Sequence, residues 1–501
     1  MRRSIVVCLL PFALLVSAPS SRAEVSVPSV LADHMVLQRD KPVHLWGMAD
    51  PGETVTVEFR GNRASTQAGR LGRWSVDLPA GQAGGPFALT IRGKNTIAWK
   101  DILVGDVWIA SGQSNMEFPM ARTEWSNGVR NAQQEVAAAN YPRLRLYMVH
   151  HQFADYPRYD APATGWSACT PQTVADFSAV AYFFARDLMK RENVPIGVIE
   201  SSWGGTPAEA WTSLAALSAD AGLMPVFAAR AHMMQDESTT LLEQKAEKLA
   251  IDQAHAQGKQ PPSFPWHPDP NSWAPAALFN GMIAPLVPLS IRGVIWYQGE
   301  SNTDTERAPI YAPLFQTMIQ DWRQHWAQGD FPFLYVQIAN FVSTDDWATV
   351  REAQLQTLSV ANTGMAVTID IGNPTNIHPV DKQDVGDRLA LWARDLSYGE
   401  HVQDSGPLFL QAAPQGKQMR VWFSHARSGL LAKGGGLTGF EVAGPDRKFV
   451  PADASIDGNT VVVSSPMVSQ PRYVRYGWSS NPMCNLFNRE GLPASPFTSL
   501  P

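Results

Sequence analysis

The stretch at residues 106–116 reads DVWIASGQSNM, a short apolar run followed by a small, polar turn. The length and branching of the run at 107–110 predict a buried strand. The turn places the hydroxyl of Ser114 just after that strand, and in an open α/β sheet ligands bind at the carboxyl ends of the strands. Most serines in such positions cap helices or complete turns, so this stretch alone makes Ser114 a candidate nucleophile and no more.

The surrounding residues, from 101 to about 400, alternate apolar strands with helical segments. Apolar residues recur at helical spacing between 180 and 188, and residues 196–200 form the next strand. The segments IRGVIWYQ, FPFLYVQIA and GMAVTID predict three more buried strands, with helices near 310–326 and 351–361. Such a succession of strands and helices predicts a parallel sheet covered on both faces.

One helix start in this region has a specific signature. In Thr206-Pro207-Ala208-Glu209 we expect Thr206 to be the N-cap, Pro207 to occupy the first turn and Glu209 to close a capping box.

The two ends of the chain have β character. Val55, Val57 and Phe59 alternate with polar residues and predict one strand of a small sandwich or jelly-roll element. Strand-like segments return after about residue 401 and predict a second sandwich. We therefore predict domains at 24–100, 101–400 and 401–501, with a charged, helical insertion at about 212–272 in the middle domain.

The first 23 residues predict export. A charged start precedes an apolar stretch at 5–16, and Ser21-Arg22-Ala23 offers a cleavage site, which together indicate a secretory signal peptide. No later segment approaches the roughly 20 apolar residues of a membrane span. The formal net charge is −6 and no long basic run occurs, which argues against a nucleic-acid partner. We predict a periplasmic or extracellular protein and make no prediction of its oligomeric state.

Two cysteines remain after signal cleavage, Cys169 and Cys484. One disulfide and two buried thiols are both compatible with so wide a spacing. A Cys/His metal site is not predicted.

Four segments of the middle domain end strands with polar clusters, at 111–115, 201–206, 298–302 and 370–378. In a doubly wound sheet these ends can converge on one crevice. Acyl transfer requires a hydroxyl, a base and donors for the developing oxyanion. Ser114 can supply the hydroxyl and His378 the base. A backbone N–H at Gly204 or Gly205 and the side-chain amide of Gln298 can supply the donors.

Each of these features also has a purely structural explanation. The two glycines can form the tight turn before the Thr206 segment, and Gln298 and Glu300 can cap their own loop. His378 can cap the helix that follows it. The convergence of all four segments is stronger evidence than any one of them.

Six motifs occur in an order that resembles the sialate O-acetylesterase family, part of the wider SGNH hydrolase group of carbohydrate esterases. They are GQSNM, WGGTPAEAW, LFNGMIAPL, GVIWYQGESN, IHPVDKQDVGDRLA and NLFNREGLPASPF. The resemblance runs from about Leu31 to the C-terminus. It implies a flavodoxin-like, three-layer α/β/α SGNH core with flanking β-domains, and deacetylation of sugars by a serine mechanism without metal or other cofactor.

Carried over position by position, the resemblance implies that Ser114 is the nucleophile and His378 the base. It implies that Gly204 or Gly205, of which we favour Gly205, and Gln298 are the oxyanion donors. One departure is notable: SGNH enzymes usually carry an aspartate three residues before the histidine, and this chain has Thr375 there.

Because a threonine cannot stabilise an imidazolium as a carboxylate does, either another acid orients His378 or the enzyme works as a Ser-His dyad. In the Ser-His-Asp template, loss of the proper acid lowers turnover by about 10⁴. Glu300, in the loop of Gln298, is our first candidate for the acid, ahead of Asp370 and Asp381.

The sequence thus predicts an exported esterase that removes O-acetyl groups from carbohydrate. Acetylated sialic acid and acetylated plant cell-wall polysaccharide, such as xyloglucan or xylan, are about equally favoured as substrates. The alternative is a catalytically inactive carbohydrate-binding protein on an SGNH scaffold, for which the missing aspartate is the one supporting feature.

Overall fold

The structure is a computed structural model that describes residues 24–79, 81–123, 126–235, 237–262 and 268–501. The predicted signal peptide, residues 1–23, lies outside the described residues, as does part of the predicted insertion at 212–272. Within the described ranges, no helix has the length and apolar character needed to cross a bilayer.

The strands fall into three groups along the chain. The first group is β1 (Val36–Gln38), β2 (Val43–Met48), β3 (Thr54–Phe59), β4 (Asn62–Gln67), β5 (Arg73–Leu78) and β6 (Gly84–Arg92). The second is β7 (Thr96–Gly112), β8 (Tyr141–Met148), β9 (Ser167–Cys169), β10 (Ile196–Ser202), β11 (Gly293–Tyr297), β12 (Phe333–Val336) and β13 (Thr363–Ala366). The third is β14 (Leu408–Gln415), β15 (Gln418–Ser424), β16 (Leu430–Ala432), β17 (Phe440–Ala443), β18 (Val450–Pro451), β19 (Asp453–Asp457), β20 (Thr460–Ser464), β21 (Tyr473–Tyr476), β22 (Leu486–Asn488) and β23 (Phe497–Thr498).

The α-helices of the described ranges all lie between the end of β7 and the start of β14 in the chain. They are α1 (Ser114–Glu117), α2 (Ala132–Ala138), α3 (Pro171–Val174), α4 (Ala179–Glu192), α5 (Leu214–Ala219), α6 (Pro225–Gln235), α7 (Glu237–Ala256), α8 (Tyr311–Trp326), α9 (Trp347–Gln356) and α10 (Lys382–Tyr398). The predicted helices at 310–326 and 351–361 correspond to α8 and α9. The charged segment of the insertion forms α6 and α7, also as predicted.

The central sheet has the strand order β13-β12-β11-β7-β10-β8-β9. Every neighbouring pair is parallel except β8 with β9. The chain leaves β7 for the β8–β10 side and then crosses back to β11, so the direction of winding reverses beside β7. Ligands bind at such a switch point, which places the end of β7 at the expected site.

Two tryptophans show that helices cover both faces of this sheet. Trp108 on β7 packs edge-on against Phe184 of α4, with ring centroids 5.0 Å apart. Trp296 on β11 is in register with Ser111, three residues beyond Trp108, and therefore points to the opposite face. There it packs against Trp322 of α8 at 5.9 Å. The predicted α/β/α layering is confirmed.

Four of the N-terminal strands, β1, β3, β4 and β6, belong to the same sheet as the central strands, whereas β2 and β5 pair with each other. The first half of β7 pairs with β1 and β6, and its second half pairs with β10 and β11. The boundary predicted at residue 100 therefore falls inside one 17-residue strand. Val55 and Val57 of β3, fully buried as their alternation predicts, belong to the same hydrophobic core as Trp108.

The C-terminal strands enclose a core of their own. Two four-stranded antiparallel sheets, β14-β15-β20-β19 and β18-β17-β21-β23, contribute its side chains. Val421 and Val461 come from the first sheet, and Val442 and Phe497 from the second. This is the sandwich that the sequence predicts after residue 401.

Two further expectations have definite outcomes. The capping box predicted at Thr206 is wrong: the local helix is a short 3-10 turn, Ala208–Trp211, with no side-chain cap. The Thr206 hydroxyl donates instead to the carbonyl of Trp203, and Glu209 pairs with Arg307.

Cys169 and Cys484, for which a disulfide and two free thiols were both compatible with the sequence, are free thiols.

Candidate active site

The structure brings Ser114 and His378 into direct contact. Ser114 begins the short helix α1 immediately after β7, and His378 lies in the loop between β13 and α10. The Ser114 Oγ and the His378 Nε2 are 2.8 Å apart, the distance of a hydrogen bond. A hydroxyl hydrogen-bonded to an imidazole is the arrangement that nucleophilic acyl transfer requires.

Both side chains line an open pocket of about 750 Å³. Its other described lining residues come from the carboxyl ends of β7, β8, β10 and β11 and from the segments around Trp273, Asp345 and Ile377; they are Gln113, Glu117, His151, Trp203, Gly204, Gly205, Trp273, Glu300, Ser301, Thr303, Asp304, Asp345 and Ile377. The four polar strand ends of the sequence therefore do meet in one crevice. In the described ranges no group of three or more His, Cys, Asp or Glu side chains has the arrangement of a metal site.

Two close backbone approaches explain the glycines of this crevice. A Cβ on Gly112 would lie 2.1 Å from the Tyr297 carbonyl oxygen, so only glycine lets β7 end against β11 with a φ of +139°. A Cβ on Gly204 would lie 3.2 Å from the Ser114 Cβ. The backbone after β10 therefore lies against Ser114.

The environment of His378 favours the neutral imidazole. Burial, and secondly the nearby Lys382 ammonium, lower the pKa of His378 to about 4. The neutral form can accept the proton of a serine hydroxyl at any pH above that value. Phe118 packs beside the imidazole, with ring centroids 6.2 Å apart.

The three candidate acids have other partners among the described residues. Asp370 forms two hydrogen bonds with the guanidinium of Arg388, at 2.7 and 2.8 Å. Asp381 caps α10 and pairs with Arg130 at 3.2 Å. Glu300, buried in the pocket wall, accepts a hydrogen bond from Asn115 at 2.6 Å, and its second oxygen has no hydrogen-bond partner in the part of the chain that the structure describes.

Among the described residues, Asn115 provides the hydrogen-bonded link between Glu300 and the histidine loop. Asn115 also donates to the carbonyl oxygen of Ile377, the residue before His378, at 3.0 Å. Burial raises the pKa of the Glu300 carboxyl.

The predicted oxyanion donors differ in accessibility. Gly205 lies in the pocket wall, whereas the N–H of neighbouring Gly204 donates to Glu117 at 2.6 Å. Gln298 is fully buried, and its amide nitrogen donates to the Thr206 carbonyl at 3.2 Å and to the Asn302 side chain at 2.6 Å. Both amide hydrogens of Gln298 are thus donated to acceptors within the protein.

A second amide, which sequence reasoning missed, does line the pocket. The Gln113 side-chain oxygen accepts hydrogen bonds from the N–H groups of Gly299 and Ser301, at 3.3 and 3.2 Å. Its amide nitrogen has no partner among the described residues and is available to a ligand. The sequence feature that could have identified Gln113 is its position immediately before Ser114 in the motif GQSNM.

The pocket also contains a stacked pair that no motif indicated. His151 lies parallel to Trp203, with ring centroids 4.3 Å apart and an interplanar angle of 3°. Its Nε2 is 3.0 Å from Glu117, which in turn accepts the Gly204 N–H. Since His151 follows β8 far from any motif, only the fold brings it here.

Comparisons with known proteins agree with this geometry. A family model described as carbohydrate esterase, sialic acid-specific acetylesterase, matches residues 270–391. Human sialate O-acetylesterase is 32% identical, with 76% of this chain and 72% of that protein aligned. The rat sialate O-acetylesterase is 29% identical over 94% of this chain and 93% of that protein.

A solved structure extends the likeness to nearly the whole chain. The crystal structure of a carbohydrate acetylesterase from Xanthomonas citri superposes with a TM-score of 0.81 and 40% identity, covering 95% of this chain and 99% of that one. The chain therefore belongs to the sialate O-acetylesterase family and is a carbohydrate esterase with an SGNH-type α/β core.

Proposed function

We propose that this protein is an exported serine esterase that removes O-acetyl groups from neutral acetylated carbohydrate. The observation that carries the proposal is the 2.8 Å contact between the Ser114 Oγ and the His378 Nε2 at the wall of a pocket large enough for a sugar. The apolar stretch and cleavage site of the first 23 residues support export.

The reaction proceeds in two acyl-transfer steps. Ser114 Oγ attacks the acetyl carbonyl carbon while His378 Nε2 takes the hydroxyl proton. The tetrahedral intermediate then collapses, and the sugar oxygen leaves with the proton from His378. Water attacks the acetyl-serine with His378 again as the base, which releases acetate and restores the serine.

The oxyanion of each intermediate requires preorganised N–H donors. We assign the backbone N–H groups of Ser114 and Gly205 to this role. For the side-chain amide we assign Gln113 in place of Gln298, because both hydrogens of Gln298 are already donated within the core. Gln298 then supports the site indirectly, through the turn that contains Thr206.

The charge of the pocket favours a neutral sugar over sialate. Its described lining includes the carboxyl groups of Glu117, Asp304 and Asp345 and no lysine or arginine. A sialate carboxylate is bound best by a bidentate guanidinium. Arg307, which lies over the Trp273 ring, is occupied by Glu209 and Asp304.

The test compares substrates that differ only in charge. We expect acetate release from O-acetylated sialic acid methyl ester to have a kcat/KM at least about tenfold above that of the free acid, a difference of roughly 1.4 kcal/mol. Acetylated xylo-oligosaccharides provide the neutral polymer class. Equal or faster hydrolysis of the free acid would overturn the neutral-sugar assignment.

The Ser114→Ala and His378→Ala variants test the chemistry itself. Both are expected to lose acetate release from every ester, 4-nitrophenyl acetate included, with circular dichroism unchanged. Activity that survives Ser114→Ala would overturn the nucleophile. The alternative of a silent carbohydrate-binding protein is not favoured, and labelling of the wild type by a fluorophosphonate probe would exclude it.

Export has its own measurement. Expression of the full chain in a bacterium with a functioning secretion system is expected to yield a mature protein whose first residue is Glu24. N-terminal sequencing of the periplasmic and culture fractions checks this. An intact Met1 in those fractions would contradict signal cleavage.

A further inference from the structure

Asn115 connects three parts of the active site through its side chain. It follows Ser114 in α1 and is 1% exposed. Its amide nitrogen donates to Glu300 at 2.6 Å and to the Ile377 carbonyl at 3.0 Å. Its oxygen accepts a hydrogen bond from the Lys382 ammonium at 2.5 Å. Both hydrogens of the amide and one lone pair of its oxygen are therefore used.

The partners of Asn115 flank the reacting groups. Ile377 immediately precedes His378, so a single amide joins the turn of the nucleophile to the loop of the base. Within the same loop, the His378 backbone N–H donates to the Asn376 side chain at 2.9 Å. Thr375, at the position of the usual aspartate, donates to Asn373 within the loop.

The buried Lys382 ammonium is stabilised by groups that lie outside its own helix. It is fully buried at the start of α10, 4.7 Å from the Phe118 ring centroid and 5.4 Å from that of Tyr297. Burying an ammonium is costly unless hydrogen bonds and opposite charge offset it. Asn115 provides the hydrogen bond, and the Glu300 carboxyl provides the charge.

We propose that Asn115 is a positioning residue that sets the Ser114–His378 contact, and that the buried Lys382 and Glu300 hold its amide in the required orientation. Lys382 has a second effect, because its charge disfavours protonation of the base. The inference rests on the proposed function, in which Ser114 and His378 react. It identifies a side chain that connects the turn of Ser114 to the loop of His378.

Among the described residues, the charged group that acts on His378 is the Lys382 ammonium at the start of α10. After burial itself, it is the second cause of the lowered pKa of His378. Removing the positive charge must therefore raise that pKa from about 4 towards the ordinary value of the imidazole.

The first variant is Asn115→Ala, with Asn280→Ala as its matched control. Asn280 is another buried asparagine of the same domain, and its amide donates to the Ala154 carbonyl at 3.1 Å, outside the pocket lining. Both variants lose a buried amide, and we expect the larger drop in melting temperature for Asn115→Ala, because it also leaves the Lys382 ammonium without its hydrogen bond. Only Asn115→Ala is expected to lower kcat on 4-nitrophenyl acetate, by about 100-fold, with KM within about twofold of wild type.

The second pair is Lys382→Met and Lys382→Arg, measured from pH 3.5 to 9. Methionine keeps the apolar stem and removes the charge, so the acid limb of kcat/KM is expected to move to higher pH. Arginine keeps the charge, so the limb is expected to stay near pH 4. A structural role alone would lower activity without moving the limb.

Each outcome has one meaning. A kcat for Asn115→Ala no lower than that for Asn280→Ala would overturn the positioning role, and an unmoved acid limb in Lys382→Met would overturn the electrostatic one. If Lys382→Met does not fold, Asn115→Ala decides the positioning role and the pH profile of Lys382→Gln decides the charge. Activity retained by Ser114→Ala would instead overturn the proposed function, which separates the two failures.

Discussion

At the scale of single residues, the burial of His378 has a direct consequence for the pH dependence of the enzyme. Because the pKa of the imidazole is lowered to about 4, the base is already neutral at pH 5. We expect kcat/KM on 4-nitrophenyl acetate to change by less than about twofold between pH 8 and 5, and to fall below that.

An ordinary histidine would behave differently over the same range. With the usual pKa near 6.5, activity would fall by more than about tenfold between pH 8 and 5. Such a fall in the wild type would contradict the environment that the structure gives His378. Initial rates in buffers of constant ionic strength, corrected for spontaneous ester hydrolysis, provide the measurement.

The assignment of Gln113 as the amide donor leads to a second prediction. In Gln113→Glu, a carboxylate still accepts the N–H groups of Gly299 and Ser301, but the donor to the oxyanion is lost. Loss of one oxyanion donor typically lowers kcat by 10² to 10³. We therefore expect a fall of about 100-fold or more in kcat, with a melting temperature close to that of the wild type.

Gln298→Glu provides the comparison for Gln113→Glu. Its amide donates to Thr206 and Asn302 in the core, so replacement leaves two buried acceptors without donors. We expect this variant to lose stability in thermal unfolding first, with activity falling as the fold loosens. A stable Gln298→Glu variant with a 100-fold lower kcat would return the oxyanion role to Gln298.

These residues also show the reach of sequence reasoning at this scale. The motifs identify Ser114 and His378, because a serine after a strand and a histidine before a helix have fixed places in the sheet. They cannot show that the Gln298 amide is consumed, since its acceptors are 92 and 4 residues away in the chain. For the same reason, the sequence alone does not indicate that Lys382 is buried.

At the scale of secondary-structure elements, the end of β7 is the most constrained part of the site. Alanine at Gly112 would meet the Tyr297 carbonyl at 2.1 Å and would need a φ of +139°. We expect Gly112→Ala to lower the free energy of unfolding by at least about 2 kcal/mol. We also expect kcat to fall by about 100-fold, because any relief of the clash displaces Ser114.

Gly52→Ala is the matched control for this prediction. Gly52 also has a positive φ, of +78°, but a Cβ there meets nothing within 4 Å. Gly52→Ala is therefore expected to lower the free energy of unfolding by about 1 kcal/mol, from backbone strain alone, and to keep normal activity. Urea unfolding of both variants measures the difference, and equal stability losses would contradict the role of the close approach.

Local patterns predict the type of most elements and fail where tertiary contacts take over. The alternation at 55–59 and the helical spacing at 180–188 are confirmed in β3 and α4. The Thr206 capping box fails because Glu209, its proposed partner, is drawn into an ion pair with Arg307 98 residues away. A local sequence motif gives no information about a partner so far away in the chain.

At the scale of the whole molecule, the described residues form two hydrophobic cores rather than three. The N-terminal strands share the core of the catalytic sheet, because β7 runs through both. Composition changes near residue 100 and so predicts a boundary there, but composition cannot show that one strand spans it. The C-terminal sandwich, by contrast, has a separate core.

A fully buried arginine joins those two cores. Arg351 of α9 donates to the carbonyl oxygens of Ile338 and Ala339 in the catalytic domain, both at 2.9 Å. It also donates to the carbonyls of Ser479 and Ser480 in the C-terminal domain, at 2.7 and 2.9 Å. Burial lowers the pKa of this guanidinium to about 9, so it remains charged at neutral pH.

Removal of this arginine is expected to uncouple the two domains. Arg351→Leu leaves four buried carbonyls without their donor, a loss of about 3 kcal/mol or more, and half of that loss falls at the junction. We expect calorimetry to show two unfolding transitions in place of one, with the C-terminal sandwich separating from the catalytic domain. The control is Arg323→Leu, because Arg323 is also buried but donates only to Phe331 and Asn362 inside the catalytic domain. That variant is expected to unfold at lower temperature in a single transition, and a single transition in Arg351→Leu as well would show that other contacts couple the domains.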